Sequence, residues 1–133
     1  MKNIVKLFFL VSLLVLFTSC DPSHDIFFKN KTASNVKVKI NLEPKAEMED
    51  LKGIQTRDSI VFILKKDSIG HISFGIGNWS EKQLNLVTKS IKTIEIETSD
   101  IKTVYKSKKA IFSVLKENVH GGLNKTDIEI NIE

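Results

Sequence analysis

The sequence predicts an all-β fold, an antiparallel β-sandwich of the immunoglobulin-like kind with about seven or eight strands. Three observations carry that expectation. Apolar and polar residues alternate at a period of two in several short segments, as half-buried strands require. Polar turns separate those segments at short intervals. No βαβ rhythm, no strong helix cap and no repeat of solenoid length interrupts the pattern.

Taken in order, residues 26–28 open the first strand and the polar corner Lys31-Thr32-Ala33-Ser34-Asn35 follows. Val36, Val38, Ile40 and Leu42 then alternate with Lys37, Lys39 and Asn41, so residues 26–42 read as a hairpin with its Asn-containing corner in solvent. Residues 43–56, with Pro44, Gly53 and several acids, read as a surface loop or short helix. Residues 60–64 form a continuous β-branched and aromatic run, expected to be a central strand buried on both faces. Lys66-Asp67-Ser68 turns the chain, and Ile72, Phe74 and Ile76 resume the alternation. Residues 90–98 place Ile94 and Ile96 inside and Glu95 and Glu97 outside, and residues 103–105 follow as a short strand. Residues 108–118 are read as a strand by analogy with their neighbours, although Ile111, Val114 and Leu115 also suit a helical face. His120-Gly121-Gly122 supplies the last turn, and Ile128, Ile130 and Ile132 alternate with polar residues to the end.

The first twenty residues follow a different logic. Lys2 and Lys6 precede an apolar run over 7–17, which at eleven residues is about half the ~20 needed to cross a bilayer as a helix. Small polar residues then lead to Cys20, the pattern of an export signal over 1–19. Phe17-Thr18-Ser19-Cys20 resembles the bacterial lipobox, with Phe in place of the usual Leu or Val, a variation similar to that of Bacteroidota-type lipoproteins. That resemblance implies cleavage before Cys20, diacylglycerol on its sulfur, and palmitate-like acyl chains that hold the protein in a membrane. Cys20 is the only cysteine, so disulfide frameworks, CxxC redox motifs and cysteine-based zinc sites are excluded. Residues 20–25 then form a short tether, with residues 26–133 as one domain. The five residues after Cys20 span roughly 17 Å when extended, which keeps the domain close to the membrane. The segment from Cys20 onward keeps all 16 acids and 18 of the 20 bases, because Lys2 and Lys6 leave with the signal, for a balance of +2.

The chemistry-bearing residues are sparse. His24 lies in the tether, His71 in a strand and His120 before a Gly pair, with no second His or acid at metal-ligand spacing, so neither a metal nor a cofactor is expected. His71 has outward parity and reads as a solvated strand residue. No G-x-S-x-G elbow is present, and Gly75-Ile76-Gly77 lacks the third glycine of a dinucleotide loop because Ser80 occupies that place. Asn78 and Trp79 in the same loop allow two readings: a platform for a sugar or partner protein, or a ring folded back over the core edge. Lys102, Lys106, Lys108, Lys109 and Lys116 surround Tyr105, either as a solvated face or as a contact for anionic head groups. A near-neutral exported domain is a poor fit to nucleic acid. Asp58-Ser59-Ile60 and Asp67-Ser68-Ile69 fit an O-glycosylation motif of Bacteroidota-type exported proteins, with Ser59 and Ser68 as acceptors, or equally ordinary turn chemistry. Asn30, Asn78 and Asn124 fit the N-linked pattern, which bacterial lipoproteins usually leave unused.

Over its whole length the chain is similar to small Bacteroidota-type lipoproteins: a Lys-containing signal, a Cys, then one sandwich. The functional expectation is a lipid-anchored cell-envelope protein, outer membrane before inner, with a non-catalytic binding or scaffolding domain for an envelope protein or glycan. Two alternatives stand beside it. One is a small envelope hydrolase or glycan-active enzyme using His71 or His120 with a nearby carboxylate. The other is an inhibitor or immunity lipoprotein.

Overall fold

The computed structural model describes residues 23–44, 58–121 and 126–133. The export signal, Cys20, most of the 43–56 segment, Gly122 and Asn124 lie outside the described residues. Two four-stranded sheets face each other as an all-β sandwich, with two ten-residue helices in the crossovers. Strands β1 (Ser23–Asn30), β4 (Ile69–Ile76), β7 (Val119–His120) and β8 (Asp127–Ile132) make the first sheet in the order β4-β1-β8-β7. Strands β2 (Val36–Leu42), β3 (Ser59–Leu64), β5 (Ile91–Glu97) and β6 (Lys102–Tyr105) make the second in the order β3-β2-β5-β6. All pairings are antiparallel except β1 with β8, which run parallel side by side in the middle of the first sheet.

Alternation decides which side chains meet between the sheets. Ile26 and Phe28 of β1, Ile72 and Phe74 of β4 and Ile128, Ile130 and Ile132 of β8 face Val36, Val38, Ile40, Leu42, Ile60, Leu64, Ile94 and Ile96 of the second sheet, all buried. Each such aliphatic side chain contributes about 1.5–3 kcal/mol when fully buried. The two strands expected from the strictest alternation, β2 and β8, are present with Lys and Glu on their outer faces.

Four local expectations are corrected. Residues 26–42 are not a hairpin: β1 and β2 lie in different sheets, and the corner at residues 31–35 carries the chain from one to the other. Asn30 holds that corner. Its Nδ2 donates to the carbonyls of Ser34, Leu64 and Lys65, and its Oδ1 accepts from the backbone and hydroxyl of Thr32. Residues 60–64 do not form a central strand, because β3 is an edge whose Val61 and Ile63 are 47% and 64% exposed. A continuous apolar run does not distinguish burial on two faces from an edge whose outer face is left bare.

The third and fourth corrections concern helices. Residues 108–118 form α2 (Lys108–Glu117) rather than a strand, with Ile111 and Leu115 buried one turn apart and Phe112 and Val114 packed beside them. The Ser107 hydroxyl caps it by accepting from the Ala110 N–H at 3.1 Å. Residues 81–90 form α1 (Glu81–Ser90), for which no helix was expected. Ser80 and Gln83 stand at capping-box spacing, and the Ser80 hydroxyl accepts from the Gln83 N–H at 3.3 Å. Leu84 and Val87 are its buried contribution to the core. The helices pack on each other and on β5.

Candidate functional site

The strand β1 begins at Ser23, so His24 and Asp25 belong to the sheet and not to a tether. His24 faces inward, with its ring centroid 3.8 Å from that of Trp79 and 5.9 Å from that of Phe74. Trp79 is 2% exposed, its indole N–H donating to the Asp25 carbonyl at 3.0 Å. Of the two readings of that residue, the folded-back ring is the one observed, and a surface stacking platform at Trp79 is excluded. The apolar neighbours His24 and Phe74, with one carbonyl in reach of the indole, satisfy both halves of this amphipathic side chain. Asn78 lines a hollow of about 240 Å³ with His24, Phe74, Gly77, Ser80 and Gln83.

On the outward face of the same strand, Asp25 and His71 meet. The His71 Nε2 lies 2.9 Å from Asp25 Oδ1, and the Phe27 ring stacks on the imidazole at 4.9 Å with a 12° interplanar angle. The two side chains differ in exposure: His71 is 49% exposed and Asp25 only 6%. Burial works against the Asp25 carboxylate, but hydrogen bonds from His71, Ser23 and Ser73 and the attraction of the imidazole outweigh it. Its pKa is held below the ordinary aspartate value. His71 is therefore not the freely solvated strand residue expected of its parity.

Ser23 and Ser73 lie close enough to help hold the carboxylate ionised. The arrangement orients an imidazole and presents one of its edges to solvent. It makes a polar patch flanked by the Lys29–Glu129 ion pair at 2.6 Å, in which Lys29 also stands over the Phe27 ring. The four cavities described in the sandwich are lined without His71 or His120.

The other expected residues disperse. Ser59 opens β3 opposite Asn41, and Ser68 sits in the turn after it, its hydroxyl donating to the Lys65 carbonyl at 2.8 Å beside Asp67 in the left-handed conformation. Among the basic residues around Tyr105, Lys102 pairs with Glu95 at 2.9 Å and Lys108 with Glu43 at 2.7 Å, while Lys116 stands over the Phe112 ring. They belong to separate local contacts. Among the described residues no group of His, Cys, Asp or Glu could hold a metal ion, and no helix is long and apolar enough to cross a membrane.

Fold and site together define a small two-sheet sandwich with helical crossovers and a polar face centred on His71 and Asp25. Compared with known proteins, the chain matches no family model, no curated protein and no solved structure.

The Asp25–His71 pair was missed by sequence reading because the residues are 46 positions apart. The signal was available only through register, since Phe27 stands opposite His71 and Asp25 opposite Ser73 across β1 and β4.

Proposed function

We propose that this chain is a lipid-anchored cell-envelope protein whose sandwich serves as a non-catalytic binding or scaffolding module. The observation that carries the reading is positional. β1 starts at Ser23, three residues after Cys20, and three extended residues reach only about 10 Å. The anchor would thus hold the domain by the end of β1 where Asp25, Ser73 and the Asn78 hollow lie. A module seated so close to a bilayer is suited to meeting partners confined to the same surface, with the outer membrane as the expected site.

The Asp25–His71 cluster supports binding, because the half-exposed imidazole is held by a buried carboxylate at 2.9 Å and stacks on Phe27 beside the Lys29–Glu129 pair, outside the four cavities described. Changing Cys20 to Ser tests the anchor. The full chain expressed in a bacterial host is expected to partition into the detergent phase with the mass of an acylated polypeptide, and Cys20→Ser is expected to move it to the aqueous phase or leave uncleaved precursor. Equal detergent partitioning of both, with no acyl mass on the unsubstituted chain, would overturn the proposal.

A further inference from the structure

Four strand edges close the two sheets, and three of them carry devices that discourage further pairing. β7 has two residues, β6 has four and begins with a lysine, and β4 is interrupted by glycines at 70 and 75. β3 has none: its six residues, Ser-Ile-Val-Phe-Ile-Leu, include no charge, no proline and no glycine, and its pairing with β2 runs without a bulge. Natural edges of this composition are rare unless something pairs with them, since bare backbone beside apolar side chains is a template for strand addition.

The hydrogen-bond phase of the sheet says which groups are on offer. The Leu42 N–H donates to the Asp58 carbonyl, and Ile40 stands opposite Ile60 and Val38 opposite Phe62. In an antiparallel ladder this phase turns the backbone groups of 58, 60, 62 and 64 toward β2. Those of Ser59, Val61 and Ile63 point the other way, to the open edge. Val61 and Ile63 are also the residues whose side chains stand bare on the outer face.

We propose that β3 is the interface through which two copies of this chain pair, antiparallel about a two-fold axis at Phe62, into one continuous eight-stranded sheet. A two-fold axis perpendicular to a sheet keeps outer faces together, so only registers that match odd residues with odd are allowed. With Phe62 on the axis, Val61 of each copy meets Ile63 of the other, and their free N–H and C=O groups are in phase to form four hydrogen bonds. The same register sets Asp58 of one copy opposite Lys66 of the other, twice. Both are exposed, and among the described residues neither has an ion-pair partner within its own chain. The strand is thus self-complementary in hydrogen bonding, apolar contact and charge. The pairing stands independently of the lipid anchor.

Sedimentation equilibrium of the full chain in detergent micelles tests it. The expected result is a dimer. Val61→Lys with Ile63→Lys is expected to give a folded monomer with the circular-dichroism spectrum of the native chain, because both side chains are largely exposed in the single chain. Asp58→Lys or Lys66→Asp alone is expected to weaken the dimer roughly tenfold, as two facing charge pairs turn repulsive, and the two together to restore it. A chain that stays monomeric, or a dimer that persists in the double-lysine variant, would overturn the proposal. A dimer weakened by each charge change and weakened further by both would overturn the register.

Discussion

The indole N–H of Trp79 donates to the backbone carbonyl of Asp25 at 3.0 Å, tying the loop after β4 to the first strand of the fold. The contact places the chain's only tryptophan beneath the residue whose carboxylate orients His71 on the opposite face. Core and polar face are joined through one residue of β1.

Substitution of Trp79 separates packing from polarity. Trp79→Ala removes a ring that packs edge-on against Phe74 at 5.2 Å and against His24, and is expected to cost about 3–5 kcal/mol. Trp79→Phe keeps an aromatic ring but leaves the Asp25 carbonyl without its donor, for a smaller loss of about 1–3 kcal/mol. Urea unfolding followed by circular dichroism measures both. Equal losses in the two variants would show that the hydrogen bond, and not the ring, is what the site needs.

Asn30 is the polar counterpart of Trp79. It is 1% exposed and bonds to the crossover at 32–34 and to the end of β3, so one side chain holds together two of the corners at which the chain changes sheets. Asn30→Ala removes, at a buried position, the bonds its amide makes to three carbonyls and to Thr32, and is expected to cost about 2–4 kcal/mol. Asn30→Asp replaces donors by acceptors against those carbonyls and is expected to be worse. Thermal unfolding at neutral pH orders the two. Burial also removes this asparagine from the set available to N-linked sugar.

How much of this was legible in the sequence differs by element. β2 and β8 could be read directly, because each has one solvated face and a lysine, acid or asparagine at every second place. The pairing of β1 with β8 could not, since strands at opposite ends of a chain carry no local mark of adjacency. α1 left a mark that was overlooked: Ser80 and Gln83 at capping-box spacing, then Leu84 and Val87 a turn apart. α2 was balanced between periods of two and 3.6, and tertiary burial of Ile111 and Leu115 decided it. At the site, burial of Trp79 was one of two open readings, whereas the Asp25–His71 contact depends on register, which no pattern within either strand contains.

Gly70 gives a packing prediction with a built-in control. A Cβ at this inward position of β4 would lie 2.9 Å from Phe62 Cγ and 3.2 Å from Leu64 Cδ2, so the Phe62 ring occupies space that only glycine leaves open. Gly70→Ala is expected to destabilise by about 1–3 kcal/mol through overpacking. In a Phe62→Ala background the same change is expected to cost much less, because the Cγ in conflict and the ring beyond it are gone. A double-mutant cycle by chemical denaturation measures the coupling, and additive losses would show that Leu64 or the backbone sets the limit.

Asp25 predicts a pH dependence of stability. Its folded pKa lies below the ordinary value of 3.8, because His71, Ser23 and Ser73 bond to the ionised carboxylate more favourably than burial opposes it. A group depressed in this way binds fewer protons folded than unfolded between the two values. Its stabilisation is complete above the unfolded value and is lost as the pH falls through the lower folded one. Asp25→Asn keeps the shape and removes the charge, so at neutral pH it is expected to be less stable by about 1–2 kcal/mol, the range of charge-assisted hydrogen bonds. The gap between the native chain and this variant should close below pH 4, where the native carboxylate is being protonated. Melting temperatures of both chains from neutrality into that acid range measure it. A gap that widens below about pH 4 would mean that the carboxyl is protonated more readily in the fold than in the unfolded chain, and that its partners do not hold it as an anion.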